Sequence, residues 1–212
     1  MKKNVYEVDQ SELDLFLSEM SFGFLGMTEA DGRPAVTPLN YVYWNGRIYF
    51  HGSRAGEKMS RMSADARVSF CVAKEYAIIP SYFTDPIRAC PASSYFKSAV
   101  IDGHAVLVDD LAEKAAVLQV LMEKLQPEGG YKPISAEDPV YRGSVKGVAV
   151  VRIDPARVSC KFKFGQNHTD EENEPIIEGL SKRGEGLDEE TAALMRKYCP
   201  HASSRQDPND TE

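Results

Sequence analysis

The chain has 212 residues and a formal net charge of −7, which suits one domain with a tail and allows a sizeable core. The acidic balance argues against binding polyanions over a broad surface, because nucleic-acid-binding proteins usually carry a basic face. No stretch approaches the ~18 apolar residues of a membrane helix, and the N-terminal MKKNVYEVDQ lacks the apolar centre of a signal peptide. We therefore expect a cytoplasmic protein.

The N-terminal part of the chain predicts one helix and then strands. Helical spacing of apolar residues predicts a helix over 11–20, and residues 22–29 have a strand pattern. The next run, 36–44, is apolar on both faces, so we interpret it as a central, doubly buried strand. Asn45-Gly46 then predicts a hairpin, because a type I′ turn needs positive φ at both central residues. We expect the first three strands to form a meander.

The sequence after the hairpin joins the end of a strand to the start of a helix. The strand over 47–51 ends in His51-Gly52-Ser53, and a helix is predicted from about residue 55 to 64 with Ser53 as its N-cap. Arg54, Lys58 and Arg61 lie on or near the first turns. A helix N-terminus beside a hydroxyl and cations can bind an anion such as phosphate. The alternative, a capped surface helix with solvated cations, stays open from the spacing alone.

The middle of the chain alternates strands with one loop and one clear helix. A strand is predicted over 67–74, and the three prolines of residues 80–91 predict a long loop that could be a lid or a binding loop. A long strand over 94–108 contains Gly103, which indicates a bulge or a close approach of another backbone. The apolar stripe over 110–126 predicts the clearest helix.

The C-terminal part predicts two more strands, 148–151 and 158–164, broken near Asp154-Pro155. Beyond Gln166 the chain is acidic and polar, with a short helix expected at 188–198 and disorder at 202–212.

About six strands with short connections and peripheral helices favour a mainly β fold, a closed antiparallel barrel, and a sandwich is the competing fold. We divide the chain into a barrel domain, 1–165, and an acidic C-terminal extension, 166–212. The cysteines have no C-x-x-C spacing, so separate thiols are expected rather than a zinc cluster. They are Cys71, Cys90, Cys160 and Cys199.

Several short motifs follow one another in a characteristic order. They are P-L-N-Y, the N-G hairpin, I-Y-F-H-G-S, G-x-K, V-S-F, Y-x-K-S-x-x-x-x-G, M-E-K-L-Q-P-E-G-G-Y and K-F-K-F-G-Q-N. Each motif is weak alone, but their order and spacing over roughly residues 10–198 are specific. In this respect the chain resembles the FMN-binding split β-barrel family related to pyridoxamine 5′-phosphate oxidase, most of all the branch that includes 5-nitroimidazole reductases.

The resemblance implies a six-stranded antiparallel split β-barrel that forms a homodimer with two FMN molecules at the subunit interface. It places one segment along the isoalloxazine ring, with backbone groups offered to its polar edge. These residues are Thr37, Pro38, Leu39, Asn40 and Tyr41. Ser98 matches the position where the oxidases carry a glutamine that reaches the flavin from the other subunit.

The resemblance also assigns the cofactor's phosphate. His51, Gly52 and Ser53 would hold the ribityl chain and the phosphate, and Lys58, together with Arg54, would neutralise the phosphate charge. A phosphate dianion favours a helix N-terminus with one or two cations, so the physical argument agrees.

The chain departs from the oxidases at its C-terminal end. Their Arg-x-His-type motif for the substrate phosphate is not visible, and residues 161–167 read KFKFGQN instead. We therefore do not expect vitamin B6 oxidation. No G-x-G-x-x-G follows a strand, which leaves the electron donor open.

Few protein groups need to be catalytic, because FMN carries the redox chemistry. His51 could donate a proton to a reduced substrate, or it could only bind the cofactor or a backbone carbonyl. We expect His104 to be structural, and His168 and His201 to be solvated. Among the aromatic residues, Tyr41 is the best candidate for stacking on a ring, although buried aromatic residues usually belong to a core.

Two functions remain open from the sequence. The first is an FMN-dependent reductase that acts on a nitro-aromatic or another small acceptor. The second is a flavin-binding sensor, carrier or regulator without turnover.

Overall fold

The computed structural model describes Tyr6 and residues 8–198. Two compact units share the chain: unit 1 comprises residues 1–8, 73–98 and 160–212, and unit 2 comprises residues 9–72 and 99–159. The disorder predicted at 202–212, Cys199 and His201 lie outside the described residues. The proposed domain boundary at 165/166 stays a prediction.

The described residues form one seven-stranded sheet, six α-helices and a short 3₁₀ helix at Ser81–Phe83. The strands are β1 (Phe22–Thr28), β2 (Pro34–Asn40), β3 (Val42–Trp44), β4 (Arg47–Gly52), β5 (Arg67–Ile79), β6 (Ser93–Leu107) and β7 (Ala149–Lys163). The helices are α1 (Gln10–Glu19), α2 (Glu57–Ala64), α3 (Leu111–Leu125), α4 (Pro139–Gly147), α5 (Asp170–Arg183) and α6 (Asp188–Tyr198).

The order of the strands in the sheet is β2-β1-β5-β6-β7-β4-β3. β1 pairs antiparallel with β2 and β5, and β4 pairs antiparallel with β3 and β7. The expected class, a mainly antiparallel split-barrel fold with peripheral helices, is confirmed, although the sheet has seven strands where six were expected and, over the described residues, is not closed.

The predicted strand over 36–44 is wrong in both position and burial. It divides at Tyr41 into β2 and β3, which lie at opposite ends of the sheet order, so the first three strands do not form a meander. Tyr41 causes the division: its amide donates to the Ser21 carbonyl over 3.0 Å, and its buried hydroxyl donates to the Leu17 carbonyl over 2.9 Å. β2 is consequently an edge strand with only its Leu39 side chain buried.

The turn between β3 and β4 is confirmed. Asn45 has φ 49° and Gly46 has φ 74°, the positive angles that a type I′ turn requires. The turn closes β3 onto β4 in the register Trp44↔Arg47.

The predicted break near Asp154-Pro155 is wrong, because β7 runs through these residues without interruption. Gly103 of β6 lets β7 continue, because a glycine leaves space for the Asp154-Pro155 backbone beside it. A Cβ at position 103 would lie 2.3 Å from the Asp154 carbonyl oxygen and 3.1 Å from the Pro155 Cα. The close backbone approach predicted at Gly103 is therefore confirmed.

Two helices were not predicted, α4 and α5. α5 begins with a capping box in which Thr169 and Glu172 exchange side-chain and backbone hydrogen bonds. It buries Ile176, Ile177 and Leu180 although its exposed side is acidic. An acidic composition therefore masked an amphipathic helix.

The core of unit 2 forms where α3 packs against the sheet. Its buried cluster consists of Val42, Tyr49, Val108, Val117, Leu121 and Val150. Each such side chain contributes about 1.5–3 kcal/mol by leaving water, so this cluster anchors the neighbouring strand ends.

The described part of the chain bears on three features: disulfide bonds, metal sites and membrane-spanning helices. Cys71, Cys90 and Cys160 are free thiols, and no three metal-ligating side chains come together there. Within the same residues, none of the helices is both long and apolar enough to cross a bilayer.

We predict that Gly103→Ala destabilises the protein by at least about 1–3 kcal/mol, because the new methyl group would overlap the Asp154 carbonyl. Urea denaturation followed by circular dichroism measures the change. Gly143→Ala in α4 is the matched control, since its Cβ would meet no atom within 4 Å, and it should be neutral or slightly stabilising. Equal effects of the two changes would contradict the close approach.

Candidate functional site

The end of β4 is held by its pairing with β7. His51 lies opposite Val150, and Gly52 lies opposite Ala149. This register places the His51-Gly52-Ser53 segment beside the first turn of α2, as the sequence predicted. The pairing therefore fixes the backbone from which the candidate site is built.

Gly52 allows the Lys58 side chain to approach the end of this strand. A Cβ at position 52 would lie 2.9 Å from both Cε and Nζ of Lys58, closer than such contacts allow. Any larger residue would therefore displace the ammonium group. The glycine allows this lysine position, although the flexible end of the lysine side chain could move aside, and backbone conformation does not demand a glycine because the φ of Gly52 is not positive.

Ser53 does not have its predicted role as N-cap. The cap of α2 is Gly56, which provides no side-chain hydrogen bond, and the Ser53 hydroxyl accepts from the Ala55 amide over 3.3 Å. Because no side chain caps the helix, the amides of Glu57 and Lys58 stay available to a ligand, whereas the Met59 amide donates to the Gly56 carbonyl over 2.9 Å.

Three cations lie around this region. Arg54 and Lys58 have no carboxylate within ion-pair distance among residues 8–198. Lys114 of α3 is 2% exposed, and its ammonium donates to the Lys146 carbonyl over 3.4 Å. Burial and then the charge of Arg54 lower the pKa of Lys114, while Asp109 acts in the opposite direction.

Sequence analysis missed Lys114. Only its position in the helix pointed to it. Lys114 follows Leu111 by three residues and precedes Ala115, so it lies on the face of α3 whose other residues are apolar. A lysine in such a stripe is expected to extend to the surface, and only the tertiary structure shows that it is enclosed.

A cavity of about 280 Å³ within unit 2 is lined by one of these cations, Arg54. Its walls are mostly apolar and come from α2, β6 and β7. The lining residues are Arg54, Met59, Met62, Ser63, Ala105, Leu107, Ala149 and Val151. Apolar walls with one cationic end suit a ligand that combines an apolar body with an anionic group.

His51 is exposed, but the surrounding protein atoms still affect its titration. Partial burial of the ring, and then the neighbouring Lys58 ammonium, lower the pKa of His51. The imidazole is therefore neutral near pH 7, a form in which one nitrogen donates and the other accepts a hydrogen bond.

The other predicted residues lie elsewhere in the structure. Thr37, Pro38, Leu39 and Asn40 belong to the edge strand β2, whose outer backbone groups have no neighbouring strand among the described residues. Tyr41 is fully buried and its ring packs against Phe70 with centroids 5.1 Å apart, so its side chain serves the core and not a ring-binding surface. The predicted backbone role of this segment stays a prediction.

Ser98 belongs to unit 1 and not to the unit that holds the other predicted residues. Its hydroxyl donates to the Lys161 carbonyl over 3.5 Å. The role that the resemblance gives to Ser98 stays a prediction.

Residues 9–162 match the family described as Pyridoxamine 5'-phosphate oxidase. The chain belongs to this family. The match covers both the candidate phosphate segment and the edge strand. The comparison with curated protein sequences gives no match.

Solved structures of low sequence identity share the fold. The flavocytochrome Anf3 of Azotobacter vinelandii is 23% identical over 76% of this chain and 70% of its own, with a TM-score of 0.62. A putative 5-nitroimidazole antibiotic resistance protein of Bacteroides thetaiotaomicron is 21% identical over 74% and 85%, with a TM-score of 0.58. The FAD and heme binding protein of Mycobacterium smegmatis is 16% identical over 83% and 80%, with a TM-score of 0.63.

We predict that Lys58→Gln raises the pKa of His51, because it removes the positive charge that opposes protonation. An NMR titration of the histidine ring protons measures the shift. The lowered folded-state pKa also means that stability falls as the pH falls through the unfolded value of ~6.5, and Lys58→Gln should lessen this loss.

Lys58→Arg provides the matched control, since it keeps the charge and should leave the pKa of His51 low. An unchanged titration of His51 in Lys58→Gln would show that the two side chains do not interact.

Proposed function

We propose that this protein is a flavin-dependent oxidoreductase that binds FMN with its phosphate at Arg54, Lys58 and Lys114. One observation carries the proposal: Arg54 and Lys58, which have no carboxylate partner among residues 8–198, flank the uncapped start of α2. Arg54 also lines an apolar cavity and lies close enough to Lys114 to lower the pKa of that lysine. A phosphate dianion would satisfy these charges together with the free amides.

FMN suits this arrangement better than a dinucleotide. The cavity of about 280 Å³ is at the lower end of the size of ligand pockets, so it accommodates the phosphate end of a cofactor whose ring lies outside it. The structural neighbour from Mycobacterium smegmatis is an FAD and heme binding protein, and an FAD molecule would need further space for a second phosphate and an adenine.

The edge strand β2 is the proposed support for the flavin ring. Alternate backbone groups of an edge strand point away from the sheet and are free to pair. Thr37 to Asn40 thus offer donors and acceptors to the polar edge of a planar ring. When bound, the flavin supplies the electron transfer, while His51 holds a polar part of the cofactor and the apolar walls exclude water.

The proposed assembly is a homodimer that covers an apolar surface of unit 2. Phe22, Phe24 and Val36 are 46%, 44% and 65% exposed. The register places Phe24 opposite Pro38 and Gly26 opposite Val36, so these side chains share one face of β1 and β2. An exposed apolar patch beside the proposed ring support suits burial by a second copy of the chain.

The proposed substrate is a small electron acceptor of the nitro-aromatic class. The oxidases' substrate-phosphate motif is missing from the sequence, so we do not propose pyridoxamine 5′-phosphate as the substrate. Membership of a family does not fix the reaction, because one fold hosts many activities.

We predict that the purified protein is a yellow dimer that releases FMN on denaturation.

We also predict that Lys58→Ala weakens FMN binding by about 1–3 kcal/mol, the scale of a charge-assisted hydrogen bond. Fluorescence titration of the apoprotein measures the affinity. Riboflavin, which lacks the phosphate, should bind the wild type and Lys58→Ala equally.

Arg61→Ala is the matched control on the same helix. Arg61 pairs with Glu29 over 2.8 Å and with Glu57 over 3.0 Å, so its loss should leave FMN affinity unchanged. A colourless monomer that does not take up FMN would refute the proposal, and equal loss of riboflavin and FMN in Lys58→Ala would refute the phosphate assignment.

We predict that His51→Gln keeps near-normal FMN affinity and loses less than about tenfold in turnover of a nitro-aromatic substrate, because glutamine keeps hydrogen bonds and water can supply protons. General acid–base groups contribute ~10²–10⁴-fold, so stopped-flow kinetics with FMN saturated separates the two roles. A loss above about a hundredfold would make His51 catalytic. Absence of turnover with every reduced donor would favour a flavin-binding module.

A further inference from the structure

Unit 1 contains a second and larger cleft that the proposed flavin site does not use. Its volume is about 680 Å³, within the usual range for small-molecule sites. We propose that this cleft binds a small organic anion, a phosphate or a carboxylate, at an end formed by Lys161, Lys163 and Tyr95.

Two buried polar atoms in the cleft lack partners. The Tyr95 side chain is 1% exposed, and its hydroxyl has no hydrogen-bond partner within the described part of the chain. The Nδ1 atom of His168 is also buried without a partner there, although the sequence predicted a solvated histidine. Buried polar groups are almost always paired, so these two atoms are candidate partners for a ligand in the cleft.

Two lysines on alternate positions of β7 lie at the same end. Lys163 donates to the Ser93 hydroxyl, and the Lys161 ammonium lies 4.8 Å from the centre of the Tyr6 ring. Neither lysine has a carboxylate within ion-pair distance among residues 8–198. Burial and then the charge of Lys161 lower the pKa of Lys163, and a bound anion would relieve this repulsion.

Acidic residues also line the cleft, but most are engaged elsewhere. Asp85 pairs with Arg88 and accepts the Ile87 amide over 2.9 Å. Glu172 accepts the Thr169 amide over 2.9 Å in the capping box. Glu171 is the exposed third acid. The acidic side chains therefore lie in the loop that contains Asp85 and at the start of α5, while the end of the cleft formed by Lys161 and Lys163 keeps its positive charge.

The shape and chemistry of the cleft describe its ligand. Two ammonium groups and a phenolic hydroxyl provide donors for an anion with several acceptor oxygens. Pro91, Ala92 and Ile176 provide apolar walls for a compact carbon skeleton. A phosphate and a carboxylate share this chemistry, and only their charge and number of oxygens differ.

The test is calorimetric titration of the full chain with phenyl phosphate and, separately, with benzoate. A Lys58→Ala background removes the other anion site. In that background Lys163→Gln should weaken binding of the preferred anion about tenfold or more, the effect of losing a charged donor. Tyr95→Phe should weaken it severalfold, and Lys163→Arg should retain binding.

Lys182→Gln is the matched control, because Lys182 belongs to the same unit but does not line the cleft. Its anion affinity should equal that of the background protein. The proposal is overturned if neither anion binds at millimolar concentration, or if Lys163→Gln and Lys182→Gln have equal effects. Anion binding that is lost in Lys58→Ala and unaffected by Lys163→Gln would place it at the flavin-phosphate site instead. Failure of FMN binding would leave these outcomes unchanged, so the two proposals are tested separately.

Discussion

The antiparallel pairing of β4 with β7 is the constraint on which the candidate phosphate site depends. Five residue pairs fix the register, from Ile48↔Ile153 to Gly52↔Ala149. A slip of one residue would turn every side chain of β4 to the other face, and a side chain would replace the glycine against which Lys58 lies. The same strand β7 lines the cavity with Ala149 and Val151. One ladder therefore positions the glycine, the histidine and a cavity wall together.

Cations that pair with carboxylates hold parts of the fold together, whereas cations without such partners are candidates for binding a ligand. On α2, Arg61 has two carboxylate partners and links the helix to Glu29 beside β1. Lys58, one turn earlier on the same helix, has none among the described residues and lies against Gly52. Ion pairs between solvent-exposed side chains change the free energy of unfolding only slightly. Unpaired cations that line a cavity suit an anionic ligand. Arg54 lines such a cavity in unit 2, and Lys161 and Lys163 line another in unit 1.

The sequence predicted what short-range chemistry determines. Asn45 and Gly46 determine the turn through their own backbone preferences, and Gly103 indicated that a second backbone lies close to it. The edge position of β2 could not be predicted, because the buried hydroxyl of Tyr41 and its distant acceptor at Leu17 decide it. The enclosure of Lys114 likewise depends on α4, a helix that composition did not reveal. We did not predict α5, although Thr169 and Glu172 have the identities and spacing of a capping box.

Lys114 shows how the candidate site is preorganised. A buried ammonium with one carbonyl acceptor loses hydration without full compensation, and burial and Arg54 lower its pKa accordingly. The protein accepts this cost when it folds, so a bound phosphate need not recruit the cation or order its long side chain. A dianion beside Lys114 would raise the pKa of Lys114 and favour its charged form. Binding of such an anion would therefore be coupled to folding, because the protein would gain stability from charges that are unfavourable without the ligand.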